Sequence, residues 1–193
     1  MIDTKGKKII LASGSPRRKE LLAGLDIEFE VDTLNYFKET YNPDIQHEKI
    51  PEVLSEGKSF GFHRPLEEDE ILLTSDTLVL CGNEVMGKPH SPAEAREMLH
   101  LLSGRDHKVI TAITIRNSNR YKTLSDTAIV HFNKLTDNAI DYYIEKYKPF
   151  DKAGAYGIQE WIGYMGISHI EGSYFTIMGL PVHLVYQELM NFI

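Results

Sequence analysis

One run of residues constrains the fold more than any other part of the sequence. Ile71–Leu80 reads Ile-Leu-Leu-Thr-Ser-Asp-Thr-Leu-Val-Leu and has the composition of a strong β-strand, yet Asp76 stands in its middle. Burial of an unpaired carboxylate is costly, so Asp76 is expected to meet a cation, a metal ion or hydrogen-bond donors. Two roles follow: a structural aspartate satisfied by backbone donors or an arginine, or a functional one that binds magnesium or activates water.

Strand and helix signals alternate along the rest of the chain. Apolar runs predict further strands at Lys8–Ser13, Glu28–Thr33, Glu84–Gly87, Val109–Arg116 and Thr123–Phe132. Capping residues and periodicity predict helices at Pro16–Leu25, Glu52–His63, from Ser91 to near Gly104, Thr136–Tyr147 and Pro181–Phe192. Asn35–Pro51 is predicted to be a long loop, and Lys152–Ile170 a loop with short strands. The interleaving predicts an α/β protein with a mixed sheet, and the lack of a linker or repeat predicts one domain, 1–193.

Composition excludes several classes of protein. Hydrophobic residues make up 42% and charged residues 25% of the chain, which is typical of globular proteins and not of disordered ones. The formal net charge of -7 argues against general binding to nucleic acids or anionic membranes. A single cysteine, Cys81, excludes an intrachain disulfide and a cysteine-cluster metal site. With no signal peptide or apolar span recognised, we expect a cytoplasmic protein.

The turn at Ser13–Arg18 is a candidate anion site. It follows a buried strand and leads into a helix, with Ser15 at the N-cap and Pro16 at the first helical position. Free backbone N–H groups and the helix dipole attract anions there, and two arginines open the helix where the dipole alone disfavours them. Either Arg17 and Arg18 help to bind a phosphate, or they are exposed and balanced by carboxylates such as Glu20.

Three more polar residues are weaker candidates. Gly82-Asn83 predicts a tight hairpin that returns Lys88 beside Asp76-Thr77, where it either holds a phosphate or protects a sheet edge. Glu39 and Lys58 lie in polar stretches and taken alone would face solvent.

Gln159 ends the glycine-rich segment Gly154–Gln159. Its amide matches the carbonyl and N–H groups on a pyrimidine edge, although the residue taken alone is more typical of a surface glutamine.

Dispersed motifs together resemble the Maf proteins, a family of nucleoside triphosphate pyrophosphatases. The matching segments are Leu11–Arg18, Ser75–Val79, Gly87-Lys88-Pro89, Lys152–Gln159, Ile170–Tyr174 and Gly179-Leu180-Pro181, and they occur in the family's order over nearly the whole chain. The resemblance implies an elongated, two-lobed fold like that of the inosine triphosphatases, with the mixed twisted sheet flanked by helices around a central cleft. It also implies a divalent metal cation (Mg or Mn), a nucleoside triphosphate substrate and a possible homodimer.

The resemblance also assigns roles to residues. Asp76 matches the catalytic acid–base position, and Arg17, Thr77 and Gln159 match positions that select the substrate; the pair Arg17 and Gln159 resembles the subgroup that acts on dTTP and UTP. The positions that line the phosphate and metal region are Ser13, Arg18, Glu39, Lys58 and Lys88, with Asp76 and Glu39 expected to bind the metal. After Gln159 the family pattern continues with glycine, whereas this chain has Glu160, whose larger acidic side chain could reshape the base pocket.

Hydrolysis of dTTP and UTP to the monophosphate and pyrophosphate is therefore the expected function, as a nucleoside triphosphate diphosphatase. The alternative is a regulatory protein that senses nucleotides, is linked to septum formation and cell division, and has no significant turnover. The role of Asp76 with a metal distinguishes the enzyme from the sensor, because a sensor needs no acid or base at the α-phosphorus.

Overall fold

The computed structural model describes residues 3–193 as a mixture of strands and helices. The strands are Lys8–Leu11 (β1), Phe29–Val31 (β2), Glu70–Cys81 (β3), Glu84–Met86 (β4), Asp106–Arg116 (β5), Tyr121–Phe132 (β6) and Ile167–Glu171 (β7). The α-helices are Pro16–Ala23 (α1), Ile50–Phe60 (α2), Pro92–Leu102 (α3), Asp137–Tyr147 (α4), Trp161–Gly166 (α5), Tyr174–Met178 (α6) and Val182–Phe192 (α7). Short 3-10 turns cover His47–Lys49 and Ala153–Ala155.

The strands form one sheet of mixed orientation. Their order is β2-β1-β3-β5-β6-β7, and β4 pairs with β3 outside that path. Strand β1 runs parallel to both β2 and β3, whereas the pairs β3–β4 and β6–β7 are antiparallel. The predicted α/β class with a mixed sheet is confirmed.

The chain divides into two compact units. The first comprises residues 3–76 with Thr111–Asp126 and Gly179–Ile193, and the second comprises Thr77–Ile110 and Thr127–Met178. Strands β3, β5 and β6 each contribute residues to both units. The single domain predicted for 1–193 stays a prediction, and its first two residues lie outside the described part of the chain. No helix within residues 3–193 has the length and apolar character needed to cross a membrane.

In the first unit, buried hydroxyl groups attach helix α2 to the sheet. Ser55 Oγ lies 3.0 Å from Thr114 Oγ1 on β5, and Thr74 Oγ1 on β3 donates to the Ser55 carbonyl at 2.7 Å. All three residues are completely buried. Because buried polar groups need partners, this arrangement fixes how α2 lies on the strands and therefore where Lys58, three residues after Ser55, can reach.

The second unit has its own apolar core. Buried side chains of α3, α4 and β6 meet there, among them Leu99, Leu102, Phe132, Ile140 and Tyr143. His107 of β5 lies inside this core: its ring stacks on Phe132, and its Nε2 atom is 2.7 Å from the hydroxyl of the buried Tyr156. A histidine so enclosed is held in its neutral form.

Several sequence predictions of local structure are confirmed. The hairpin turn at Gly82-Asn83 joins β3 to β4, and Ser15 caps α1 by accepting from the Arg18 amide at 3.5 Å. Ser91 likewise accepts from the Glu94 amide at 3.1 Å at the start of α3.

The prediction for Lys152–Ile170 was incomplete, because this segment also contains helix α5. Helix α6 was not predicted either. Two of the six residues of α5 are glycines, which weakens the helix signal in the sequence. The structure shows why Gly163 is required: a Cβ there would lie 1.8 Å from the Ile158 carbonyl oxygen.

The buried imidazole of His107 predicts a loss of stability in mild acid. Burial lowers the pKa of His107 from 6.5 to about 4, so below pH 6.5 the unfolded chain binds a proton that the folded chain excludes. Above pH 6.5 this group does not reduce the free energy of unfolding. As the pH falls from 6.5 toward 4, the free energy of unfolding decreases by about 3 kcal/mol in total because of this group. Urea unfolding of the wild type and His107→Gln across this range measures the effect. The substitution should flatten the decline, and an equal decline in both proteins contradicts the assignment.

Candidate functional site

Asp76 is the last residue of the first segment of the first unit, and of the partners that the sequence left open it has a cation. Its carboxylate is largely buried in β3, with the residue 8% exposed. The Lys58 ammonium on α2 donates to Asp76 Oδ1 at 2.6 Å. Two oppositely charged groups at this distance and depth interact strongly, because little solvent screens them. The cation that pairs with the strand carboxylate is therefore a lysine.

Lys58 contacts a second carboxylate as well. Its Nζ atom lies 3.0 Å from Glu39 Oε1, in the loop that precedes α2. The Glu39 side chain is 62% exposed, whereas those of Lys58 and Asp76 are 20% and 12% exposed. The structure thus brings together three of the residues singled out from the sequence, with the lysine between the two acids.

Two glycines, one on α2 and one directly after it, make room for the loop that carries Glu39. Gly57 and Gly61 lie one turn apart and leave space for the Phe37 side chain; a Cβ on Gly57 would approach the Phe37 ring to 2.2 Å. Asn35 Nδ2 donates to the Lys58 carbonyl at 2.6 Å, and the Tyr36 amide donates to the Gly61 carbonyl at 2.8 Å. The loop therefore lies directly on the helix that bears Lys58.

Arg18 ties the turn before α1 to the strand that bears Asp76. Its Nη1 atom donates to the Ser75 carbonyl at 2.9 Å and to Ser13 Oγ at 3.4 Å, and its Nε donates to the Gly179 carbonyl at 2.8 Å. Ser75 Oγ donates to the same Gly179 carbonyl at 3.2 Å. Three separate segments of the first unit converge on one guanidinium.

The electrostatic environment of Arg18 is set by burial and by Asp76. Burial lowers the pKa of Arg18, and the nearby negative charge of Asp76 acts in the opposite direction. The group stays a cation, since an arginine is not deprotonated in proteins. Arg18 therefore has a structural task in addition to any contact with phosphate, and its predicted role in binding phosphate stays a prediction.

Ser13 and Arg17 complete the predicted anion site of the first unit. Ser13 is half-buried, and its Oγ atom accepts from the Ser15 amide at 3.3 Å. Arg17 is the second residue of α1 and is also half-buried. The positions of both residues on the turn are as predicted, while their roles toward a phosphate stay predictions.

Thr77 and Lys88 belong to the second unit. Thr77 follows Asp76 in β3 and is half-buried. The β3–β4 ladder pairs Val79 with Met86 and ends there, and the Gly87 carbonyl then accepts from the Gly154 amide at 3.0 Å. Lys88 is exposed, two residues beyond the ladder. The same register, continued, would place it opposite Thr77, but this pairing is not formed.

Gln159 carries an unusual atom. Its side chain is half-buried, and its Oε1 atom is buried without accepting a hydrogen bond from any described residue. A buried acceptor without a donor costs about 1–3 kcal/mol, so such atoms are rare unless a ligand supplies the donor. The structure thus gives Gln159 an acceptor suited to an N–H group.

Asp76 and Glu39, two carboxylates of the first unit, fit a divalent cation whose other ligands come from the substrate or from water. Carboxylate oxygens suit Mg²⁺ and Mn²⁺, and Lys58 already contacts both Asp76 and Glu39. Within residues 3–193, no three His, Cys, Asp or Glu side chains cluster closely enough to hold a metal. One or two carboxylates together with substrate phosphates are the usual ligands of protein-bound Mg²⁺, so the donor set fits that mode of binding.

Comparison with known proteins adds to this geometry. Residues 8–192 match the family described as Maf-like protein. The chain belongs to the Maf-like protein family. The resemblance found in the sequence motifs is thereby confirmed.

Curated relatives of this Maf-like protein are similar over nearly their whole length. A dTTP/UTP pyrophosphatase of Phocaeicola vulgatus is 50% identical over 182 residues, which is 94% of each chain. Proteins of the same name from Porphyromonas gingivalis and Flavobacterium psychrophilum are 45% and 47% identical, covering 100% and 95% of this chain and 98% and 94% of their own. A solved HAM1 protein of Coxiella burnetii is 17% identical, covers 65% of this chain and 73% of its own, and has a TM-score of 0.42.

Sequence reasoning missed one part of the site region. Tyr143 of α4 and Lys152 contact Glu160, the residue that replaces the expected glycine. Tyr143 carries no sequence signal for this, because an aromatic residue at helical spacing is typical of a core position. Only the fold brings it to the segment that carries Gln159.

The glycine face of α2 predicts that Gly57→Ala will displace the Glu39 loop of this Maf-like protein. Alanine stabilises a helix by about 1 kcal/mol relative to glycine. Its Cβ would overlap the Phe37 ring, and the cost of this overlap should exceed the gain, so that the free energy of unfolding falls by about 1–3 kcal/mol. Urea unfolding measures the loss of stability, and the rate of tryptic cleavage at Lys38 measures release of the loop. Val53→Ala, at an exposed position of the same helix, is the control. Unchanged cleavage at Lys38 would show that the loop does not depend on this packing.

Proposed function

We propose that this Maf-like protein is a nucleoside triphosphate pyrophosphatase that hydrolyses dTTP and UTP to the monophosphate and pyrophosphate. The relatives named dTTP/UTP pyrophosphatase, 45–50% identical over nearly the full length, support the substrate class. The observation that carries the chemistry is the largely buried Asp76 carboxylate, paired with Lys58 and adjacent through it to Glu39. A mere nucleotide-binding surface does not need a buried carboxylate at that place.

The reaction joins a water oxygen to the α-phosphorus and breaks the bond from that phosphorus to the bridging oxygen of the β-phosphate. The water loses a proton and pyrophosphate takes the bonding electron pair. Asp76 is the base that accepts the proton, and Lys58 fixes one of its oxygens by the 2.6 Å hydrogen bond. An oriented base saves the reorganisation that a mobile side chain would require.

Cations balance the charge of the triphosphate. Arg17, Lys58 and Lys88 are proposed to neutralise phosphate oxygens, and Ser13 and Arg18 to shape the turn that receives them. Phosphoryl transfer depends mainly on positioning and on stabilisation of charge, so fixed cations contribute where charge develops.

A divalent cation, Mg²⁺ or Mn²⁺, is proposed as cofactor with Asp76 and Glu39 as its protein ligands. When bound, it neutralises phosphate oxygens and makes the phosphorus more susceptible to attack. Within the chain, Lys58 keeps the two acids close together while preventing their mutual repulsion.

Gln159 and Thr77 are proposed to select the base or sugar. The buried Oε1 atom of Gln159 is an acceptor for the N3–H group of uracil or thymine, and the amide N–H₂ is a donor for a neighbouring carbonyl. A homodimer and a cytoplasmic location also remain proposals, which follow from the family resemblance and from the cysteine content.

A pyrophosphate-release assay tests the proposed function directly. With magnesium, the protein should release pyrophosphate from dTTP and UTP faster than from CTP or 7-methyl-GTP, and chelation of the metal should abolish the reaction. Binding of nucleotides without release of pyrophosphate would instead favour the nucleotide-sensing role in cell division. Release of inorganic phosphate alone would show that a different bond is broken.

Asp76→Asn should remove the base while leaving the fold intact, because the amide oxygen can still accept from Lys58. The turnover number for UTP should fall by about 10³-fold or more. The measurement is single-turnover release of pyrophosphate together with the thermal unfolding midpoint. Asp69→Asn, which alters a carboxylate paired with Lys8 at the surface, is the control and should keep full activity. Near-normal turnover by Asp76→Asn would refute the assignment.

A further inference from the structure

The turn that carries Gln159 is held by a network inside the second unit. The Gly157 amide donates to the Tyr143 hydroxyl at 3.0 Å, and that hydroxyl donates to Glu160 Oε2. The other oxygen of Glu160 lies 3.1 Å from Lys152 Nζ. Residues on both sides of Gln159 are therefore connected through one tyrosine, which is fully buried on helix α4.

The charges of this network are enclosed. The Lys152 side chain is 9% exposed and that of Glu160 is 19% exposed, while Lys152 also contacts the exposed Asp151 at 2.8 Å. Burial and the adjacent Glu160 raise the pKa of Tyr143, so its hydroxyl keeps its proton and donates to Glu160 at neutral pH. Buried ion pairs contribute little net stability on average, so the geometry they impose is the more informative property.

Close packing confines the same turn sterically. A Cβ on Gly157 would lie 3.0 Å from Glu160 Cδ and 3.1 Å from Lys152 Cε, and one on Gly163 would overlap the Ile158 carbonyl. The Glu160 amide donates to the Gly157 carbonyl at 3.0 Å, which closes the turn around Gln159. The backbone that sets the direction of the Gln159 side chain has little space to move.

We propose that Tyr143, Glu160 and Lys152 are positioning residues that fix the Gln159 amide for uracil and thymine and against cytosine. The inference rests on the proposed function and deepens it. Uracil and thymine present an N3–H donor beside carbonyl acceptors, whereas cytosine presents an unprotonated N3 beside an amino group. A glutamine amide can pair with either pattern, but only in different orientations and positions. A fixed amide therefore discriminates, because the wrong base leaves buried polar groups unpaired.

The network explains the role of Glu160, where this chain departs from the family pattern. In place of a glycine, the carboxylate accepts a hydrogen bond from Tyr143, forms an ion pair with Lys152 and closes the network next to Gln159. The residues act on the base only through Gln159, so they should affect the binding of different bases unequally and leave hydrolysis itself unchanged.

The test compares UTP and CTP hydrolysis by wild type, Tyr143→Phe, Glu160→Ala and Glu160→Gln. We expect Tyr143→Phe and Glu160→Ala to lower the UTP-to-CTP ratio of kcat/KM by about tenfold, through a higher KM for UTP with kcat nearly unchanged. Glu160→Gln, which keeps the shape and an oxygen that can accept from Tyr143, should recover most of the ratio. Tyr142→Phe is the matched control, since its hydroxyl contacts Lys146 at the surface.

Inhibition by inorganic tripolyphosphate separates base selection from general damage. This probe carries phosphates but no base, so its inhibition constant should be equal in all variants. An unchanged UTP-to-CTP ratio in Glu160→Ala and Tyr143→Phe overturns the inference, as does a tripolyphosphate constant that rises together with KM. Should Tyr143→Phe fail to fold, the two Glu160 variants decide by the same ratio. If the wild type releases no pyrophosphate from any nucleotide, both the proposed function and this inference are overturned. If the wild type prefers UTP over CTP and the variants do so equally, only this inference is overturned.

Discussion

The ion pair between Lys58 and Asp76 is the interaction on which the first unit depends. A carboxylate in the middle of a buried strand requires a partner, and the partner must come from an element packed against that strand. Helix α2 provides it, because the buried hydroxyl contacts of Ser55 fix the helix on β3 and β5 one turn before Lys58. The same lysine also contacts Glu39, so the loop that packs on α2 brings a second carboxylate beside the strand charge.

The sequence predicted these features unequally, for physical reasons. The strand around Asp76, the hairpin at Gly82 and the helix cap at Ser15 depend on local patterns, and the structure confirms them. The need for a cation, a metal ion or hydrogen-bond donors beside Asp76 was also predictable from the cost of burial. Which partner Asp76 meets was not predictable from local patterns, since Lys58 lies 18 positions earlier and only the packing of α2 brings it there.

The second unit shows the limits of local patterns more clearly. Helix α5 was missed because its two glycines reduce the helix signal, and one of them, Gly163, is required by the close Ile158 carbonyl. Gln159 was chosen for its chemistry and its family position, but its unpaired buried oxygen is a property of the fold. The link from Tyr143 to Glu160 joins residues 17 positions apart on different elements, and neither residue type signals it.

The contacts of Arg18 have a consequence for the order in which the first unit forms. The Gly179 carbonyl receives both Arg18 and Ser75, although it lies 161 and 104 positions away from them along the chain. Once β1, α1 and β3 have assembled, Arg18 can already reach Ser13 and the Ser75 carbonyl, but its Nε atom and the Ser75 hydroxyl still lack their acceptor. Contacts between residues so far apart form slowly compared with local ones, so we expect these two hydrogen bonds to form late in folding.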